Sequence, residues 1–290
     1  MRTLLLIDVH ALVHRFFHAL PPLTSPAGEQ VNALYGLTGI LLKILKPDDG
    51  SSAPDFIAAA ADRPEPTFRK LNYDAYKATR PATDNALISQ FRHLPALFES
   101  FGVPFLSVAG FEADDVIGTL VDRFASERDL KIVMLSGDRD LFQLVSDDRV
   151  VMNILQSGGG ATKLANEEYV VSEYGVPPRH FVDYKGLVGD PSDNIPGARG
   201  IGPKAASELL REFVSLEGIY ENLGLIKNNL AERLEASRKQ AFMSRELATI
   251  RRDVPLDVFA LDFLVTQMPR REKLAPFLTE FGFQSFLARI

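Results

Sequence analysis

The residues from Thr3 to Ile7 are largely apolar, and the run stops at Asp8. The pattern recurs at Phe56 to Ala61, which stops at Asp62, and at Lys131 to Leu135, which stops just before Asp138. Short apolar runs of this kind predict buried strands. Two more strands are predicted at Pro104 to Val108 and Val150 to Leu155. Helical spacing of apolar positions predicts helices over roughly Ala33 to Leu45, Leu87 to Phe101 and Ala113 to Ser126. Lys46 to Pro54 reads as a loop. Residues 63–86 are polar, carry Pro64, Pro66 and Pro81, and have no clear periodicity. After about residue 165 the strand signal fades and helices dominate. No repeat or low-complexity tract is present.

Alternating strands and helices predict an α/β fold, with a mostly parallel central sheet flanked by helices. In such sheets the functional crevice lies beyond the carboxyl ends of the strands. Asp8, Asp62, Glu112 and Asp138 all fall there by sequence. Nine acids form short clusters: Asp8; Asp62; Glu112, Asp114 and Asp115; Asp138 and Asp140; Asp190 and Asp193. An acid ending a buried strand is costly unless something pairs with it. Carboxylates converging from several strands suit a hard divalent cation such as Mg²⁺. Two such ions about 4 Å apart serve phosphodiester hydrolysis. None of the five histidines lies in an acidic cluster, which speaks against zinc or iron. For Glu112, Asp114 and Asp115 the alternative is ordinary charge complementing a helix dipole.

Composition changes this picture in two ways. The absence of cysteine excludes disulfides, thiolate zinc sites and cysteine nucleophiles. The net charge of -6 argues against a polyanionic partner until its distribution is considered. Setting the nine clustered acids aside leaves 29 acidic residues against 32 basic ones, a balance of +3 for the remaining surface. The N-terminal apolar run is too short for a signal peptide, and no stretch approaches a membrane span. A cytoplasmic protein without a membrane partner is expected.

Gly197-Ala-Arg199-Gly200-Ile-Gly202-Pro-Lys204 is glycine-rich and basic. A Walker A loop is rejected, because Pro203 stands at its lysine position and no hydroxyl follows Lys204. Pro203 suits the first turn of a helix through Ala205, Ala206, Leu209 and Leu210. Gly200 and Gly202 let backbone N–H groups approach a phosphate there. The alternative is a plain helix–helix turn. Phe68, Arg69, Lys70, Tyr73, Tyr76, Lys77 and Arg80 interleave cations with aromatics directly after Asp62, which suits a single strand. The alternative is a surface helix with two tyrosines packed inward. For His10, His14 and His18, helix packing or exposure is the default. Arg15, on the same segment, is nearer the expected phosphates.

Four motifs stand in order along the chain: Gly110-Phe-Glu-Ala-Asp-Asp-Val116, Gly137-Asp-Arg-Asp-Leu-Phe-Gln-Leu144, Gly189-Asp-Pro-Ser-Asp-Asn-Ile-Pro-Gly197 and Gly200-Ile-Gly-Pro-Lys-Ala-Ala206. With them the sequence resembles the 5′ nuclease family, specifically the N-terminal 5′-3′ exonuclease domain of bacterial DNA polymerase I. The resemblance covers nearly the whole chain. It implies a PIN-like or Rossmann-like core over 1–175 with an arch over about 63–90. It also implies a helical DNA-binding region over 176–290, with a helix-three-turn-helix over about 185–215. It implies a structure-dependent nuclease that trims 5′ ends and cuts 5′ flaps in replication and repair, using two or more Mg²⁺ or Mn²⁺ ions.

One ion is implied near Asp8, Asp62, Glu112 and Asp114. A second is implied near Asp138, Asp140 and Asp193, with Asp115 and Asp190 close by. Arg69 and Lys77 correspond to basic residues that engage the scissile phosphate, and the hairpin at Gly200 to Lys204 holds duplex and in relatives can include K⁺. The implied partners are DNA with 5′ flaps, nicks or 5′ ends, and an RNA primer in a hybrid, met by a monomer. Val9 and Ala61 depart from the family pattern, which usually has Gly after the first Asp and a bulky residue before the second. Neither departure removes a carboxylate. The chain reaches Ile290, where the nuclease domain normally ends, as a stand-alone enzyme or an excised domain.

Three rival readings remain. A non-catalytic junction-binding module predicts flap binding without turnover. A PIN-type ribonuclease is disfavoured by the glycine hairpin and the helical C-terminal half. A nucleotide-binding protein is weakened by Pro203.

Overall fold

The computed structural model describes residues 1–48, 50–155 and 162–290. Asp49, inside the expected loop, lies outside them. The sheet strands are β1 (Arg2–Asp8), β2 (Phe56–Ala60), β3 (Phe105–Leu106), β4 (Leu130–Ser136), β5 (Val150–Leu155) and β6 (Thr162–Ala165). Their order is β3-β2-β1-β4-β5-β6. All neighbours pair parallel except β5 and β6, which are antiparallel. The predicted mostly parallel sheet is present. The antiparallel edge strand β6 was not foreseen, and the strand expected over 104–108 is only two residues long.

The helices are α1 (Val9–Ala19), α2 (Asn32–Leu45), α3 (Phe68–Asn72), α4 (Asn85–Phe91), α5 (Leu94–Phe101), α6 (Ala113–Phe124), α7 (Glu167–Tyr174) and α8 (Phe181–Val188). The C-terminal part adds α9 (Pro203–Phe213), α10 (Leu216–Glu221), α11 (Asn228–Ala236), α12 (Arg238–Ala248), α13 (Arg271–Glu280) and α14 (Gln284–Leu287). The single helix expected over 87–101 is instead two, α4 and α5. Pro95 occupies the first turn of α5, where its missing N–H is harmless; deeper inside one continuous helix it would remove a hydrogen bond and clash with the preceding turn.

The strands alternate, so successive side chains enter different cores. Leu4 and Leu6 of β1 pack with α6 and the helical second half, together with Val116, Ile117, Leu187 and Leu209. Leu5 and Ile7 face the other way, onto α1, α2 and α5 through Leu12, Leu37, Leu41 and Phe98. Leu274, Phe277, Leu278 and Phe286 near the C-terminus join this second core. The last helices therefore return to the α/β core and do not stay with the helical region. Fully burying each such side chain stabilises by about 1.5–3 kcal/mol.

Candidate metal centre and nucleic-acid interface

Each acid at a strand end is held by a backbone N–H at the start of a helical turn. Asp8 ends β1 and caps α1, its Oδ1 accepting from Ala11 N at 3.1 Å and its Oδ2 from the Ser136 hydroxyl at 2.5 Å. Asp62 follows β2, and its Oδ1 accepts from Ala113 N, the first residue of α6, at 2.6 Å. Asp138 follows β4 and accepts from Asp140 N at 2.9 Å. A carboxylate at or just beyond the end of a parallel strand thus meets free N–H groups at the start of a helical turn, which accounts for Asp8 at the end of β1 and for Asp62 and Asp138 two residues after β2 and β4.

Asp8, Asp62, Asp114 and Asp138 line one cavity of about 780 Å³, shared with His10, His14, Arg15, His18, Lys77 and Arg80. Asp138 also lines a neighbouring cavity of about 470 Å³, with Asp140, Lys185 and Asp190. Glu112 and Asp193 lie against the turn of residues 73–80. The Tyr76 hydroxyl is 3.0 Å from both Glu112 Oε2 and Asp193 Oδ2, Lys77 Nζ donates to Glu112 Oε1 at 2.9 Å, and Arg80 Nη2 donates to Asp193 Oδ1 at 2.5 Å. Two left-handed residues lock this contact: Lys77 (φ 55) donates its N–H to Asp193 O, and the Asn194 (φ 56) side chain donates to Ala75 O. Gly189 and Gly197 set the loop behind it. A Cβ on either would meet the other's backbone segment at 2.4 Å.

Asp115 is apart from these groups. It is fully buried, and the Arg69 guanidinium grips it with two hydrogen bonds of 2.8 Å. Its oxygens also accept from Glu112 N at 3.0 Å and Arg251 N at 2.8 Å. Arg69 spends its remaining donors on Glu112 Oε2, Leu247 O and Thr249 O. All five guanidinium N–H groups are engaged inside the protein. Burial opposes the charge on Arg69, but Asp115 holds its pKa above the ordinary range.

The expected nucleic-acid contacts divide. Arg15 and Arg80 face the larger cavity. Lys70 is exposed with its ammonium on Asp74 O. Phe68 is half-buried between Phe111 and the guanidiniums of Arg69 and Arg251. Tyr73 packs beside Tyr76, Ile195 and Leu247. Tyr76 is only 4% exposed, so its ring is not presented for stacking; burial raises its hydroxyl pKa further, with Glu112 and Asp193. Arg199, Gly200 and Gly202 are exposed between α8 and α9, Gly202 precedes Pro203 at the α9 start, and Lys204 is exposed in the first turn of α9. Lys185 was missed from sequence. Its Nζ lies 2.5 Å from both Asp140 and Asp190.

The donors suit a hard cation: they are carboxylate oxygens, with no sulfur. Burial pushes the Asp8 carboxyl up to about 7 against the Ser136 hydrogen bond. Burial and then Glu112 hold Asp114 well above the carboxylate range, and its carboxylate has no hydrogen-bond donor among the described residues. Both are groups that a divalent ion would relieve. Among the described residues no three acids or histidines are yet gathered tightly enough to enclose an ion. Ser136, Arg69, Lys77, Arg80 and Lys185 hold several of them in other orientations.

Burial, with Lys185 opposing it, raises Asp140 to about 7, as Asp8 is raised. A carboxyl with a raised folded pKa contributes stability below its unfolded pKa of 3.8 and loses it as pH climbs through 7. Burial depresses His10 and His14, an effect of opposite sign confined below 6.5. Between pH 6.5 and 8 the metal-free protein should therefore lose about 2 kcal/mol, a Tm fall of several degrees. Mn²⁺ should reverse it. Thermal melts in EDTA and in Mn²⁺ check this, and a flat EDTA profile counts against the burial of these acids.

A family model described as the 5′-3′ exonuclease N-terminal resolvase-like domain matches residues 3–175, and one described as the 5′-3′ exonuclease C-terminal SAM fold matches residues 176–272. The chain belongs to the 5′-3′ exonuclease family. This agrees with the resemblance carried by the four motifs, and membership makes the protein a nuclease, a hydrolase of nucleic-acid phosphodiester bonds. The DNA polymerase I of Caldicellulosiruptor bescii is 40% identical over 289 residues, 99% of this chain and 33% of that protein. The thermostable DNA polymerase I of Thermus thermophilus is 41% identical over 283 residues, 98% of this chain and 32% of that protein. The exonuclease-family chain thus spans about a third of the length of these curated relatives.

Its fold is shared with the T5 D15 protein co-crystallized with metal ions (TM-score 0.68, 23% identity, 85% of this chain and 89% of that one). It is shared also with the catalytic core of Rad2 in complex with DNA substrate (TM-score 0.61, 17% identity, 97% and 88%). Among the described residues no helix is long and apolar enough to cross a membrane.

Proposed function

We propose that this nuclease hydrolyses DNA at 5′ ends and 5′ flaps, as a cytoplasmic monomer in replication and repair, with an RNA primer in a hybrid as a further substrate. The observation that carries the reading is the larger cavity. Four carboxylates from four segments converge there at the carboxyl edge of the parallel sheet, opposite Arg15, Lys77 and Arg80. Acids for a divalent ion and cations for a phosphate share one space. The metal-bound T5 5′-exonuclease and the Rad2–DNA complexes, which have the same fold, support this reading.

Asp8, Asp62, Asp114 and Glu112 would hold the first Mg²⁺ or Mn²⁺, and Asp138, Asp140 and Asp193 would hold a second. Such ions supply Lewis-acid stabilisation of phosphoryl oxygens and a more acidic water. The protein's own part is positional. Lys77 and Arg80, held by Glu112 and Asp193, can turn to a phosphate entering the cavity; Arg15 meets it from α1. Arg69 acts through Asp115 and Glu112, because its donors are already engaged. The exposed connection from α8 to α9 is read as the helix-three-turn-helix, with Gly200 and Gly202 opening backbone N–H groups to the phosphates of a duplex and K⁺ as a candidate companion.

A 5′-labelled flap incubated with Mg²⁺ tests the proposal. Products cut at or near the junction, lost on adding EDTA, are expected, and mapping them separates exonuclease from endonuclease action. Binding without turnover would favour the junction module, and preference for an RNA flap the ribonuclease. In a separate measurement, Lys204→Ala should weaken duplex binding and lower its salt slope by about one. An unchanged affinity would remove Lys204 from the duplex contact.

A further inference from the structure

Lys185 rises from the last turn of α8 into the acidic cluster beside Asp138. Its Nζ is 2.5 Å from Asp140 Oδ1 and 2.5 Å from Asp190 Oδ2, and the three side chains are only 12–13% exposed. The ammonium also lies 5.9 Å from the centre of the Phe181 ring, one turn earlier on the same helix. The other oxygen of Asp190 is taken by Ser192, through its N–H at 2.8 Å and its hydroxyl at 2.7 Å. Both carboxylate oxygens of Asp190 thus meet a protein donor. In the larger cavity, by contrast, Asp114 has no donor among the described residues.

We propose that Lys185 is a tethered cation in the second acidic cluster. It supplies the positive charge that Asp140 and Asp190 require, so a divalent ion binds there only by displacing it. This inference rests on the metal reading above and deepens it: among the described residues Asp8, Asp62 and Asp114 are in no ion pair, although Lys77 and Arg69 hold Glu112, whereas Asp140 and Asp190 share one ammonium. The larger cavity binds a divalent ion strongly, and the cluster at Asp140 and Asp190 binds one weakly. A tethered ammonium competes with an incoming cation for the same carboxylate oxygens, and it repels that cation across a poorly solvated gap.

The test is Mn²⁺ binding to the full chain, followed by calorimetry and by counting free Mn²⁺ by electron paramagnetic resonance, without substrate. The wild-type protein should show one strong and one weak site. Lys185→Met should strengthen the weak site roughly 10- to 100-fold and leave the strong one unchanged. Lys185→Arg, which keeps the charge, should leave the weak site weak. Lys185→Gln carries the same expectation as Lys185→Met if the apolar variant does not fold. Adding Asp140→Asn to the Lys185→Met chain should abolish the gain. Equal Mn²⁺ affinities in the wild-type protein and in Lys185→Met or Lys185→Gln overturn the role of Lys185 while sparing the metal reading. No Mn²⁺ binding to any form overturns both.

Discussion

Asp114→Asn should lower cleavage of a 5′ flap by about 10³-fold while the protein stays folded. The side chain stands in the first turn of α6 and faces the larger cavity. Burial and the neighbouring Glu112 already oppose its charge, and it has no hydrogen-bond donor among the described residues. Asparagine keeps the shape and removes the charge. A structural carboxylate replaced in this way loses stability; Asp114 should not. In EDTA the variant's Tm should equal or exceed that of the wild type, and Mn²⁺ should no longer raise it as far. Single-turnover cleavage and paired melts read both effects. Undiminished cleavage would sink the claim that Asp114 serves the chemistry, and a large Tm fall in EDTA would make it a structural group.

Asp8, Asp62 and Asp138 were legible because strand and acid are adjacent in sequence: an apolar run that ends in a carboxylate shows both the buried strand and the group at its end. The α9 start was legible at Pro203 for the same local reason. What could not be read is set by contacts between distant residues. Asp115 was expected close to the second ion, yet it turns to Arg69, 46 positions away. Arg69 looked like a phosphate ligand, yet two of its acceptors are the carbonyls of Leu247 and Thr249. Tyr76 shared a basic, aromatic segment with exposed residues, and only its burial against Glu112 and Asp193 distinguishes it. Lys185 belongs to no motif, but it lies five positions before Asp190, near enough for its ammonium to reach that acid. The edge strand β6 is short and mostly exposed, so no apolar run announced it.

Arg69→Ala should destabilise the protein by about 3–5 kcal/mol, a Tm fall on the order of 10 °C. The guanidinium is 2% exposed and joins three places: Asp115 on α6, Glu112 before it, and the carbonyls of Leu247 and Thr249 at the end of α12. Removing it leaves a fully buried carboxylate with only two backbone N–H partners and leaves two carbonyls without their donor. Lysine is no substitute, because its single ammonium cannot span the five acceptor atoms that the planar guanidinium reaches. Asp115→Ala should cost a similar amount, since it strands the guanidinium. The pair Arg69→Ala with Asp115→Ala removes both charges at once, so its loss should be well below the sum of the two single losses. Urea titrations of the four proteins measure that coupling. Because the same clamp orients Glu112, cleavage should fall in each variant, while the salt dependence of DNA binding should keep its slope: no phosphate contact has been removed. If Arg69→Ala instead kept the wild-type Tm and reduced the salt slope, the guanidinium would belong to the substrate, and the carbonyls of Leu247 and Thr249 would need another donor.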